Sequence, residues 1–111
     1  MDIDITDPQY EIKMMVLQAL YDVKDPELDI NIVDLGLVYK ININSELSII
    51  EIDMTLSTPS CPLGGLITSH VKIAAEEVVT GYNVSTKLVW SPLWNYNMLT
   101  MAGKEALGLN D

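Results

Sequence analysis

Reactive chemistry in this chain centres on its one cysteine. Cys61 stands in the run Thr55-Leu56-Ser57-Thr58-Pro59-Ser60-Cys61-Pro62-Leu63-Gly64-Gly65, between an apolar strand-like stretch and a helical pattern. Proline suits the first helical position, where its missing N–H costs nothing. With Pro62 there, Cys61 is the expected N-cap, its sulfur beside unpaired N–H groups and the positive end of the helix dipole. That setting favours the thiolate, the form that attacks electrophiles and binds soft metals. Gly64 and Gly65 are poor helix formers, and bare backbone in a first turn admits close approach by a ligand or partner. The alternative is a buried cysteine acting as a small hydrophobe, with Gly-Gly as a packing accommodation.

Other chemistry-bearing residues are sparser. Asp25, Glu27, Asp29 and Asp34 crowd one stretch. Four carboxylates suit a hard cation, but their spacing matches no calcium loop. The alternative is a solvated acidic loop in which Asp25 makes a turn. Ile30, Ile32, Val33 and Leu35 are apolar enough to pin that loop to the body. His70 falls on the apolar face of a helical pattern, too far along it from Cys61 for a hydrogen-bonded nucleophile pair, and reads as an interior or boundary histidine. Trp90, Trp94 and Tyr96 read as core or interface anchors. The six methionines suit gap filling. No phosphate loop, dinucleotide fingerprint, serine triad, zinc cysteine set or HExxH is present. A stable iron–sulfur cluster generally takes four thiolates, so any cluster here needs a second chain, an external thiol or a client protein to complete it.

The elements that must carry these residues follow from periodicity. Asp7-Pro8 reads as N-cap and first helical residue of a helix over about 8–23, with Ile12, Met15, Val16, Ala19, Leu20 and Val23 at helical spacing. Asp25-Pro26 ends it. Residues 25–36 read as a long loop. Alternation over 37–43 and 50–56 predicts two antiparallel strands. Leu63, Leu66, Ile67, Val71, Ala74 and Val78 mark one face of a second helix, stopped by Gly81. Residues 82–90 read as a third strand, and Asn97 as the cap of a last helix through Leu107, closed by Gly108. The fold class is α+β, in the order α-β-β-α-β-α, a three-stranded sheet covered by helices on one face. Strand two, helix two and strand three form a crossover expected to be right-handed.

At 111 residues, 49% hydrophobic, the chain suits one ordered domain. Its net charge of −10, with six lysines and no arginine, disfavours a nucleic-acid binder. It suits a basic or metal-bearing partner instead. A single cysteine fits a reducing compartment, and no signal segment or membrane span is evident, so a soluble cytoplasmic protein is expected. A homodimer is compatible with the sequence.

Several blocks together resemble the metal–sulfur cluster assembly factor family, the small domain shared by SufT-like and PaaD-like proteins and the eukaryotic cytosolic iron–sulfur targeting factor. They are Asp25-Pro26-Glu27-Leu28, Ile32 through Tyr39 (IVDLGLVY), Met54 through Pro62 (MTLSTPSCP), Pro92-Leu93-Trp94 and Ala106-Leu107-Gly108. The likeness spans about residues 8–109. It implies an α+β domain and a non-enzymatic accessory role in iron–sulfur protein maturation, as carrier or targeting adaptor. The partners implied are assembly machinery and client apoproteins, with no tightly bound cofactor but transient iron or cluster at Cys61. It also implies a shared pocket of Asp25, Glu27, Leu28, Ser57, Thr58 and Cys61, with Asp34 structural. Three departures stand out: Ser57 replaces a threonine, Leu93 replaces the second proline of a Pro-Pro-Trp element, and the cysteine-rich tail of PaaD-like proteins is lacking. Carboxylates beside a cysteine raise its pKa, and a bound metal reverses that balance. Two other functions suit the same residues: a thiol enzyme with Cys61 as nucleophile and Glu27 as general base, or an interaction module anchored on Trp90–Tyr96.

Overall fold

The computed structural model of the chain describes residues 3–57 and 64–108. Helix α1 (Tyr10–Leu20) starts two residues after Pro8 and buries Val16, Leu17 and Leu20. Gln9, not Asp7, is the N-cap, but Asp7 still braces the helix start. The carboxylate accepts from Lys13 Nζ and from the Gln9 N–H, both at 2.7 Å. These two bonds hold the Asp7 carboxyl below the usual range. The helix stops short of residue 23 because Tyr21, Asp22 and Val23 donate to carbonyls three residues back, a tightened last turn.

Residues 25–36 are more ordered than a loop. Strands β1 (Lys24–Asp25) and β2 (Ile30–Asn31) pair antiparallel. Ile30, Ile32, Val33 and Leu35 are buried as expected. Backbone carried inward with them must find partners, and a short ladder supplies them.

The main sheet has the order β3-β4-β5. β3 (Val38–Asn44) and β4 (Ile49–Met54) form the expected hairpin. Helix α2 (Gly64–Val78) crosses over to β5 (Asn83–Leu88), which lies parallel to β4. Gly81, at φ +84°, makes the turn between them. Ile41, Ile50, Ile52, Met54 and Val84 are buried in one core with Val16, Leu20, Ile67 and Val71 of the helices. The other face carries cross-strand rows Lys40–Asp53–Lys87 and Asn42–Glu51–Ser85. A register shift between Val38 and Lys40 makes Tyr39 a bulge. Its hydroxyl, 2.8 Å from the Pro92 carbonyl and 3.4 Å from Met98 Sδ, is the donor to both. Burial pushes its phenol pKa up. Among the described residues no helix is long and apolar enough to cross a membrane.

The expected last helix is split. Asn95, not Asn97, caps a 3-10 turn at Tyr96–Met98, and Thr100 caps α3 (Met101–Ala106). A tertiary contact causes the break. The Thr100 N–H donates to the Asp34 carbonyl at 2.9 Å, and its hydroxyl to Asp34 Oδ1 at 2.8 Å. Gly36 has φ +77°, and a Cβ there would collide with the Met98 carbonyl. A Cβ at Gly103 would collide with the Asp34 carbonyl.

Gly36→Ala therefore meets both a left-handed backbone and a backbone collision, and should cost roughly 2–5 kcal/mol in urea unfolding. Gly81→Ala meets only the backbone conformation, with open space around its Cβ. It should cost roughly 1–2 kcal/mol. Equal losses would show that the Gly36–Met98 approach does not constrain the fold.

Candidate functional site

Asp25 is the most constrained polar residue of the predicted site. It is 1% exposed. Its Oδ1 accepts from the N–H groups of Glu27 (2.8 Å) and Leu28 (3.3 Å), bending the chain over Pro26. Its carbonyl accepts from the Asp29 N–H at 2.7 Å, with Asp29 at φ +56°. Oδ2 is buried and has no hydrogen-bond partner among the described residues. Orphaned buried carboxylate oxygens are costly and uncommon, so this one marks a place where the fold leaves an acceptor available.

Thr55 repeats the feature. It is 1% exposed, and its Oγ1 is buried without a partner among the described residues. Sequence alternation assigns Thr55 to the polar side of its strand. The structure ends the ladder at Met54 and buries Met54, Thr55 and Leu56 in succession.

Backbone bonds tie the two residues' segments together. Ile32 donates to Val23 (2.9 Å), Leu37 to Ile32 (3.0 Å) and Thr55 to Leu37 (2.8 Å). The β1–β2 hairpin is thereby fastened to the end of β4, and Val89 N–H to Met54 carbonyl (2.9 Å) adds the end of β5. Register aligns Val38, Met54 and Leu88 at this end of the sheet. Ser57 lies just beyond it, half-buried. Leu28 is half-buried against the core, while Glu27 is exposed. Thr58 and Cys61, and with them the N-cap expectation, fall in the 58–63 connection between β4 and α2, outside the described residues.

The four carboxylates are not gathered for a cation. Asp34 Oδ2 accepts from Asn31 Nδ2 at 2.7 Å, and Oδ1 accepts from Thr100 Oγ1. Asp29 lies 3.7 Å from Lys24 Nζ at the surface. Among the described residues no three His, Cys, Asp or Glu side chains are placed to hold a metal ion. Asp34 is structural, as the resemblance implies.

Two other expectations change, and the aromatic cluster divides. His70 and Leu66 are exposed, because the buried stripe of α2 runs through Ile67, Val71 and Ala75. Trp94 is an internal pin, packed against the core with its indole N–H on the Leu35 carbonyl at 2.6 Å. Its ring meets Tyr96 edge-on at 5.1 Å. Trp90, Leu93 and Tyr96 are the outward members of that segment.

Residues 13–86 match the family described as iron–sulfur cluster assembly protein. The Fe-S protein maturation auxiliary factor SufT of Staphylococcus aureus is 42% identical over 78% of this chain and 97% of its own length. The Fe-S protein maturation auxiliary factor YitW of Bacillus subtilis is 35% identical over 88% of this chain and 95% of its own. A crystal structure of a domain of unknown function, DUF59, from Bacillus anthracis superposes with a TM-score of 0.83 at 33% identity, covering 90% of this chain and 94% of that one.

Asp25→Asn keeps the Oδ1 acceptor of the turn, so unfolding free energy should stay within about 1 kcal/mol of wild type. Asp25→Ala strands the Glu27 and Leu28 N–H groups and should cost roughly 1–3 kcal/mol. Denaturant titration of the two variants checks this, and equal stability of Asp25→Ala and wild type would remove Asp25 from the architecture of the turn.

Proposed function

Because this chain belongs to the iron–sulfur cluster assembly protein family, we propose that it is an accessory factor in iron–sulfur protein maturation, acting as a carrier or targeting adaptor. One observation carries the reading. The likeness runs through almost the whole of SufT, an Fe-S protein maturation auxiliary factor. The geometry is in keeping with it. A buried carboxylate with one oxygen held and the other without a partner among the described residues sits in the segment fastened to the end of β4, from which the chain leads to Cys61.

In this mechanism the Cys61 thiolate is the transient ligand of iron or cluster, which is cargo and passes through. Thiolate is the ligand such cargo prefers. Ser57 and Thr58 supply hydroxyl donors near it. Asp25 and Glu27 shape the pocket, and their charge favours a cationic cargo over an empty site. One chain contributes one thiolate, so the remaining ligands come from the donor or the recipient protein. The partners are accordingly assembly proteins and client apoproteins.

Cys61→Ser tests the mechanism. Serine matches cysteine in size and caps helices well, so the variant should stay folded and soluble. Its hydroxyl is a far poorer ligand for soft metal, so client enzymes should lose activity in cells that depend on this chain. Rescue equal to wild type would end the cysteine mechanism while leaving a maturation role open to the interaction surfaces.

A further inference from the structure

Helix α2 buries one apolar stripe in the core and exposes two large apolar residues on its opposite side. Ile67, Val71 and Ala75 are buried. At 100° per residue the opposite stripe runs through Leu66, Ser69, His70, Ile73 and Glu77, all exposed. Leu66 and Ile73 are 47% and 53% exposed. Isolated exposed apolar residues are ordinary. Two on one stripe, with His70 between them, follow the i, i+4, i+7 spacing by which a helix seats in a partner's groove.

Gly65 borders the stripe and supplies an independent observation. It is helical and exposed, has no positive φ, and a Cβ there would meet nothing within 4 Å among the described residues. Glycine inside a helix is less stable than alanine. Among the described residues neither backbone conformation nor packing calls for it. Bare backbone there leaves room for close approach by another molecule.

Charge indicates what approaches. Glu76 and Glu77 are exposed near the end of α2, whose last turn holds no basic residue. Neither forms an ion pair among the described residues. Negative side chains at the negative end of a helix dipole are unfavourable, so cations arriving there are welcomed twice over. The net charge of −10 makes a second copy of the chain a poor occupant.

We propose that the outer face of α2, comprising Gly65, Leu66, His70 and Ile73 with Glu76 and Glu77, docks a protein that presents an apolar groove edged by lysine or arginine at the helix C-terminus. This deepens the maturation reading and rests on it for the partner's identity as a client or assembly protein. The segment bearing Cys61 leads directly into this helix, so docking here brings the partner to the end of α2 that follows the thiol.

Photo-cross-linking from benzoylphenylalanine at Ser69, and separately at Lys72, in the full chain within its own cells names the contact. The cross-linked protein is then purified and titrated against variants by calorimetry. The cross-linked peptide should be rich in lysine or arginine. Gly65→Ala should raise the thermal midpoint yet weaken binding at least tenfold, a pairing that a merely structural glycine does not give. Ile73→Ser, and Glu76→Lys combined with Glu77→Lys, should weaken it comparably. Leu47→Ser, an exposed apolar residue in the turn before β4, should bind as wild type. Loss of client activity in Cys61→Ser tests the cysteine mechanism, and partner binding by Ile73→Ser tests docking, so the two failures are read separately. No cross-linked protein from either position, cross-links only to a second copy, or wild-type binding by Gly65→Ala and Ile73→Ser would overturn the proposal.

Discussion

The turn from Ile32 to Leu37 has to satisfy backbone and side-chain bonds in three directions at once, and the rest of the structure is arranged around that demand. On one side Ile32 bonds Val23 and carries the β1–β2 hairpin. On another, the Leu37 carbonyl receives Thr55 at the end of β4. On the third, Asp34 and Leu35 receive Thr100 and the Trp94 indole. Buried polar backbone without such partners would be too costly to keep. The left-handed φ of Gly36 and the absent side chains at Gly36 and Gly103 let the C-terminal segment come close enough to complete the set. Asp25, Thr55 and Ser57 owe their placement to this junction, though none of them belongs to it.

This explains which parts of the chain were legible. Alternation across 37–56 located β3 and β4, because one buried face forces a period of two. Spacing located α2 for the same kind of reason. Spacing did not orient it. Apolar residues occupy both its faces, so Leu66 and Ile67 compete for the core, and only packing against β5 and α1 decides between them. His70 follows that decision outward. The two-residue strands β1 and β2 are too short to show a period. The break before α3 depends on Asp34, distant in sequence, bonding Thr100. Tertiary contacts of this sort leave no local trace.

The candidate site divides similarly. An aspartate before proline announces a turn, and the Asp25 carboxylate makes one. Its near-complete burial is a tertiary fact that turn chemistry cannot express. Thr55 escaped notice because alternation places it toward solvent, whereas the strand leaves its ladder one residue earlier. The acidic quartet looked like one feature in sequence and is three in space: a turn at Asp25, a clasp at Asp34 and a surface contact at Asp29.

A chain with a single thiol faces a constraint that shapes how an accessory factor of this kind must work. Under the proposed mechanism one thiolate gives too few ligands to retain a cluster, so the cargo would stay only while a second protein completes its coordination. Recognition then cannot come from the ligand, which every recipient would meet alike. It must come from surface that differs in chemistry from the thiol. The outer stripe of α2 is such a surface. It is apolar at Leu66 and Ile73, acidic at Glu76 and Glu77, and bare of side chain at Gly65. In the proposed pocket, carboxylates would oppose the Cys61 thiolate until a bound metal cation reversed that balance. On that reading ligation is conditional on cargo, and cargo on a docked partner. Affinity and chemistry are assigned to different residues, and a substitution in one leaves the other measurable.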